Sequence, residues 1–493
     1  MEPAKAMRNA AAPAASLNYI QAYWQEQWRA RQIQRDKLVF GLILLERFTT
    51  RLLSEKLEIL PGWTNFLDYP LLILFAVYVL AEARHRPTQP LRTGYGALSL
   101  GLTLITSLSA IINLDRLNLG AFLLFFIGLM EPLAYMALAY ALAPDRKVLD
   151  FILRLLILVG WAQILVVAFV DLPVFLETRN PDFISGTFGL NAYQLVFYLL
   201  AWNVLILSPS EKSRYSAFRW IAVFLTQLAL LIIILLAQFR AFIPSLLLTW
   251  LFTYLILYRP SMKTFARVSI AASLPVVLFL AINRIFPELK YQDILQLPER
   301  TQEISESGKI EVIRNYVKMV GENPQVLLIG TGPGTFLSRG FRVFSIYGKY
   351  EVANQVFRDL FDTSSYLSDV AKKYIVPITA RGLFTFGAAT TSEPWFSHLA
   401  ILAELGLIGY LIVMATYFQA ARMSWRMTSS GGSTATLSRW VLVAIFILLQ
   451  LGFVGEWLEV TRVTIPIWLI FGALLAGFQN RGGNRVHSRE STT

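Results

Sequence analysis

The chain has 493 residues, of which 55% are hydrophobic and 15% charged, with no cysteine, a net charge of +12 and a mean hydropathy of +0.53. Soluble domains carry about 25% charged residues, so the composition excludes an ordinary soluble protein, a disordered chain and a collagen, and the missing cysteines exclude a disulfide scaffold. The basic excess would suggest nucleic acid in a soluble chain; in a membrane chain it marks the cytoplasmic side.

A membrane-crossing helix needs roughly 20 mostly apolar residues. Residues 1–37 are polar and basic, unlike a cleavable signal peptide. Within them, Tyr23, Trp24 and Trp28 stand among Arg29, Arg31, Arg35 and Lys37, a pattern that suits a helix on the cytoplasmic leaflet. The first apolar segment, 38–56, is interrupted by Glu46, Arg47 and Arg51; it reads as either a span or an interfacial helix. Eight more candidates follow at 67–83, 93–113, 118–143, 149–170, 190–208, 217–238, 241–258 and 266–284. Residues 285–394 form a long loop, and three final candidates lie at 395–419, 440–456 and 463–479. The predicted fold is an all-α polytopic membrane protein of about 12 transmembrane helices. Nine lie in 38–284 and three in 395–479, with a polar tail at 480–493.

Lys and Arg number fourteen in the connections 84–92, 144–148, 209–219, 259–267 and 420–439, against four in 57–66, 114–117, 171–188, 239–240 and 457–462. The basic set orients the chain. Both termini are expected in the cytoplasm, and an even helix count agrees in placing them on one side. The 285–394 loop then lies outside, with twelve basic and twelve acidic residues. A loop this long is usually functional. Ile310, Ile313, Val317 and Val320 recur at helical spacing and predict a helix over about 309–320. A second helical stretch is predicted over 351–373, and Gly330-Thr-Gly-Pro-Gly334 between them is a turn by composition.

Few residues in the sequence can carry chemistry. The three histidines are His85, His398 and His487. No zinc-type cluster, no Walker A sequence and no Asp-x-Asp pair occurs, so no metal site or cofactor is expected. A basic outer-face set remains. Arg240 lies at a short hairpin, where it either meets an anionic ligand or snorkels to lipid phosphate. Arg300, Lys309, Arg314 and Lys318 lie early in the large loop, and Arg339 and Arg342 follow the glycine turn. Guanidinium groups suit phosphate oxygens, so a lipid-linked diphosphate is a plausible ligand; ordinary surface charge is the alternative. His398 is the outer-side group whose unperturbed pKa lies near neutrality, which makes it a candidate general base beside Glu393. Glu404, inside the last-but-two helix, is either functional or a hydrogen-bonded packing residue.

Four stretches together resemble the O-antigen ligase/polymerase family of bacterial membrane glycosyltransferases. Ser185-Gly-Thr-Phe-Gly-Leu-Asn191 resembles its G-T-F-x-x-N element, and Gln238-Phe-Arg240-Ala241 its S-R-G-A turn. Lys309 to Phe336, ending Leu-Ile-Gly-Thr-Gly-Pro-Gly-Thr-Phe, resembles a segment that starts near an Arg and ends P-L-L-G-x-G-x-G-x-F. His398-Leu-Ala-Ile-Leu-Ala-Glu404-Leu-Gly-Leu-Ile-Gly409 resembles the helix L-x-x-L-A-E-x-G-x-x-G. Two departures matter. Family ligases place His-Asn nine and eight residues before that Glu, where this chain has Trp395 and Phe396; Ser392-Glu393-Pro394 is nearer the Glu-Ser of polymerase-like members. Lys309 stands where the family has Arg, with Arg314 about a turn later.

The resemblance implies a GT-C-like enzyme in the bacterial plasma membrane. Its donor would be a polyprenyl-diphosphate-linked glycan, its acceptor another glycan or a lipid, and transfer would invert the anomeric centre without nucleotide or metal. Arg240, Arg314, Lys309 and Arg300 would hold the diphosphate, His398 or Glu393 would take the acceptor's proton, and Asn191, Arg339 and Arg342 would contact substrate. Glycan-export or chain-length-control proteins would be its neighbours. Polymerisation of repeat units is the first expectation and ligation of a finished glycan the second. A small-solute transporter and a non-catalytic scaffold are the alternatives from other classes.

Overall fold

The computed structural model describes residues 3–84, 94–178, 180–189, 191–207, 217–237, 308–344, 367–380, 396–453 and 455–490, with isolated positions at 248–249, 251–252 and 284. Among them the chain is 86% helical and carries no strand. The helices are α1 (Pro3–Arg51), α2 (Asp68–Ala83), α3 (Gly94–Ile112), α4 (Leu119–Leu142), α5 (Arg146–Val166), α6 (Leu172–Thr178), α7 (Ala192–Leu207) and α8 (Ala217–Leu236). After the described part resumes come α9 (Gly308–Glu322), α10 (Gln325–Ile329), α11 (Arg339–Phe344), α12 (Asp369–Tyr374) and α13 (Val376–Ala380). The chain closes with α14 (Ser397–Met427), α15 (Gly432–Leu451) and α16 (Thr461–Glu490).

Among the described residues seven helical stretches are long and apolar enough to cross a membrane: Trp63–Ala83, Gly94–Ile112, Leu119–Leu142, Arg146–Thr178, Ser397–Met427, Gly432–Leu451 and Thr461–Phe478. The protein is therefore an all-α membrane protein. These seven coincide with seven of the expected twelve. The expected segment 190–208 is the shorter apolar helix α7, and 217–238 contains α8. Residues 241–258 and 266–284 fall almost wholly outside the described residues. The first expected segment, 38–56, does not stand apart from the basic tail: α1 runs unbroken through both, then tightens into a π-helical turn at Leu52–Lys56.

Local sequence sets the helix ends. Asn118 and Asp145 cap α4 and α5, their side chains accepting from Ala121 N at 2.9 Å and Lys147 N at 3.0 Å, which satisfies otherwise orphaned helix N–H groups. Close backbone approach then builds the core. Gly472 of α16 faces the Met136 carbonyl of α4, where a Cβ would sit 2.2 Å from that oxygen. Gly160 of α5 likewise leaves room for the buried Trp202 of α7. Small residues at such crossings let membrane helices pack backbone to backbone.

The described part of the large loop has a small core of its own. Val312, Tyr316 and Met319 of α9 pack with Phe336, Phe341, Tyr374 and, from the start of α14, Phe396 and Leu399. The helix predicted over 309–320 is present, but its buried face is displaced from the expected one: Ile313 and Val317 are exposed. Both faces of this helix carry apolar residues, so spacing alone did not identify the packed one.

Candidate active site

Two of the four sequence elements form one joint. Helix α14 breaks at Gly406, whose φ is 70°, a left-handed value that disfavours any side chain. The glycine turn after α10 presses into that break. A Cβ on Gly406 would meet the Leu328 carbonyl at 2.3 Å, and one on Gly330 (φ 84°) would meet that of Glu404 at 2.2 Å. The fully buried Glu404 carboxyl then gathers the turn's backbone. Oε1 accepts from Phe336 N at 2.9 Å and from Leu337 N and Ser338 N at 2.8 Å each, and Oε2 accepts from Gly334 N. Successive N–H groups of a turn form a nest for an anion; here the anion is the protein's own Glu404, which fits its hydrogen-bonded alternative. The joint fixes where α11 begins, and hence where Arg339 and Arg342 stand.

A second joint holds the Ser185–Gly189 loop. Asp171, at the end of α5's π-helical extension, pairs with Lys56 and accepts from Ser185 N at 2.9 Å and Gly186 N at 2.6 Å. Lys56 also donates to the Gly186 carbonyl at 2.8 Å, and Thr187 N donates to Gln163 Oε1 at 2.8 Å. Asn191 Oδ1 accepts from Gln194 N at 3.2 Å at the start of α7.

Between the joints lies a cavity of about 80 Å³ at the end of the bundle where α1 stops and α16 begins. Arg47, Arg51, Arg339 and Arg462 line it, against the carboxyl groups of Asp68 and Glu459. Each arginine comes from a different constraint. Arg47, 1% exposed, is locked by Glu46 at 2.6 Å and Asp68 at 2.9 Å. Arg51 meets Glu55 at 3.2 Å, one helical turn on. Arg339 starts α11, its backbone N–H donating to Glu459 Oε2 at 2.7 Å. Arg462 is buried in the first turn of α16, and its Nη1 has no hydrogen-bond partner. Burying a charged donor without an acceptor costs several kcal/mol, a cost that an anion in the cavity would offset. Glu459 is 2% exposed. Burial, reinforced by the neighbouring Glu456 and Glu404, pushes its carboxyl well above the ordinary carboxylate range.

The residues predicted from sequence are placed unevenly. Arg339 lines the cavity; Arg342, nearby on α11, pairs with Glu456 at 3.4 Å. Lys309 and Arg314 lie on α9, Arg314 exposed and 3.5 Å from Glu311, and neither lines the cavity. Nor does His398. Its Nε2 lies 2.8 Å from the Leu449 carbonyl, its Nδ1 3.3 Å from the Tyr410 hydroxyl, and its ring lies 4.0 Å from that of Phe453. Both ring nitrogens are thus engaged with α14 and α15. Asn191 serves as the N-cap of α7. Arg240, Arg300 and Glu393 lie outside the described residues. Sequence reasoning did not nominate Arg47, Arg51, Asp68, Glu459 or Arg462; charges interrupting the 38–56 apolar segment were the available signal, because an ionisable residue within such a segment is a functional candidate by default.

Among the described residues no group of three or more metal-binding side chains occurs. Compared with models of known protein families, the chain matches none, and comparison with curated proteins likewise found no match.

Proposed function

We propose that this chain is a membrane glycosyltransferase of the O-antigen ligase/polymerase kind, with a GT-C-like arrangement of twelve transmembrane helices and both termini in the cytoplasm of a bacterial cell. In this reading it takes a glycan from a polyprenyl diphosphate at the outer face of the plasma membrane and adds it to the end of another glycan. The observation that carries the reading is the four-arginine cavity. It lies at the bundle end that the distribution of basic residues assigns to the outside. It also adjoins three of the four family-like elements: the 185–189 loop touches Glu55 and Arg51 through Gly189, the glycine turn delivers Arg339, and Glu404 holds that turn.

The chemistry follows from the charges. The acceptor hydroxyl attacks the anomeric carbon on the face opposite the diphosphate, the bond from that carbon to phosphate oxygen breaks, and its electron pair leaves on the diphosphate. Guanidinium groups already fixed by Glu46, Asp68 and Glu55 stabilise that growing charge without reorganising. Arg47 and Arg51 are already paired with Glu46, Asp68 and Glu55, so Arg339 and Arg462, which line the same cavity, supply the guanidinium charge for the diphosphate. Such a transfer uses neither nucleotide nor metal. Repeat-unit polymerisation is preferred over ligation because Trp395 and Phe396 stand where ligases carry His-Asn, and the adjacent Ser392-Glu393-Pro394 is nearer the Glu-Ser of polymerase-like members.

Purified protein incubated with lipid extract containing polyprenyl-diphosphate oligosaccharides tests the proposal. A ladder of products supports polymerase, a single transfer supports ligase, and solute flux into vesicles without donor consumption supports a transporter.

A further inference from the structure

Glu459 lines the cavity with a carboxyl oxygen whose chemistry the diphosphate does not use, and unlike Asp68 it pairs with no arginine side chain among the ion pairs around the cavity. Glu459 lies in a 3₁₀ turn, Trp457–Glu459, between α15 and α16. Its Oε2 is held by the Arg339 backbone N–H at 2.7 Å. Its Oε1 is buried, lacks any hydrogen-bond partner and belongs to a side chain lining the arginine cavity. A buried acceptor with no donor is costly, and a site that keeps one is provided with a place for a donor from outside. The hydroxyl of an incoming sugar is such a donor.

We propose that Glu459 is the catalytic base of the transfer, its Oε1 receiving the proton of the acceptor hydroxyl as that oxygen bonds to the anomeric carbon. This rests on the glycosyltransferase reading given above. The step balances: the new carbon–oxygen bond forms from the hydroxyl's electron pair, the proton passes to Glu459, and the broken bond's pair leaves on the lipid diphosphate. The proton then returns to water when the product departs. The base and the leaving group are served by different atoms of one cavity, arginines for the diphosphate and a carboxyl for the hydroxyl. His398 is not available for this step in the observed arrangement, since Leu449 and Tyr410 occupy its nitrogens.

Of the groups around Glu459, Glu456 and Glu404 act to raise its pKa and Arg339 to lower it; Arg47, Arg51, Asp68, Tyr69 and Arg462 also line the cavity. Burial and the two carboxyl neighbours raise its pKa. A base must be ionised, so turnover is expected to climb with pH through a value above the ordinary carboxylate range.

The test uses the full-length protein in detergent or nanodiscs, with two readouts. Release of polyprenyl diphosphate from a membrane lipid extract reports turnover, and calorimetric titration with inorganic diphosphate reports the arginine site. For Glu459→Gln, which keeps an acceptor for the Arg339 N–H, turnover is expected to fall about 100-fold or more, the usual contribution of a general base. Melting temperature is expected to stay unchanged, and diphosphate affinity not to fall, since no arginine is lost and one negative charge leaves the cavity. In Glu459→Asp, which remains ionisable, the pH-dependent limb is expected to persist at a reduced rate. Wild-type turnover with an undiminished Glu459→Gln rate overturns the base assignment alone. If Glu459→Gln melts early, Glu459→Asp decides: loss of its pH limb overturns the assignment and retention supports it. No turnover by the wild type overturns the glycosyltransferase reading and the base with it.

Discussion

Replacing Glu404 by alanine removes one side chain and strands four buried donors. Gly334, Phe336, Leu337 and Ser338 all give their N–H groups to its carboxyl, and the side chain is fully buried. An unsatisfied buried donor costs about 1–3 kcal/mol. Relaxation and entering water reduce the sum, so the low end applies, giving roughly 4 kcal/mol for Glu404→Ala. Glu404→Gln is milder. Its oxygen keeps the three donors now on Oε1, while its amide nitrogen faces the Gly334 N–H and loses one bond, about 1–3 kcal/mol. Heating in detergent, followed by monomer content, ranks the variants; limited proteolysis between 330 and 344 localises the damage. The expected order of stability is wild type, Gln, Ala, with early cleavage of the glycine turn in Ala. Equal melting of wild type and Glu404→Ala, or a Gln variant as damaged as Ala, would refute the nest.

Arg462→Ala is expected to weaken inorganic diphosphate binding by about 1.5–3 kcal/mol, the value of a charge-assisted bond. Arg462→Lys is expected to restore little of that affinity in the same titration, since a point charge does not replace a planar fork. Asp171→Ala leaves buried Lys56 without its carboxylate partner and is expected to cost about 3–5 kcal/mol in a melt, whereas Asp171→Asn, which keeps an acceptor for the Ser185 and Gly186 N–H groups, is expected to cost less. Glu322 of α9 is held below the ordinary carboxyl range by hydrogen bonds from Lys373 and Tyr374, and Lys373 is correspondingly raised. The Glu322 contribution is therefore present above its unfolded pKa and lost as pH falls through the lowered value, and that of Lys373 is present below its unfolded pKa and lost as pH rises through the raised one. Proteolysis of the α9–α12 contact is expected to quicken at both extremes, and Glu322→Gln to abolish the acid limb.

The membrane character and seven helical spans were legible because a bilayer imposes both length and apolarity on the chain. The glycine turn and the α14 helix were legible as separate motifs. Their union was not, because the contact of Gly330 with Glu404 and of Gly406 with Leu328 spans more than seventy residues of sequence. The site suffered most. Arg47 and Arg51 read as breaks in an apolar segment, and Arg462 as one charge at a helix start; only packing of α1, α4, α11 and α16 brings them to one cavity. His398 drew attention as a solitary outer-side imidazole, a property of composition, whereas its hydrogen bonds tie it to neighbouring helices.

The most direct test of the account is the binding of inorganic diphosphate to purified wild-type protein and to Arg47→Ala, Arg51→Ala, Arg339→Ala and Arg462→Ala, read beside polyprenyl-diphosphate release from lipid extract. The account predicts donor turnover by the wild type and a parallel loss of binding and turnover across the four variants. Wild-type turnover that survives all four changes would contradict the cavity as the place of reaction, and absence of both binding and turnover in the wild type would contradict the glycosyltransferase reading itself.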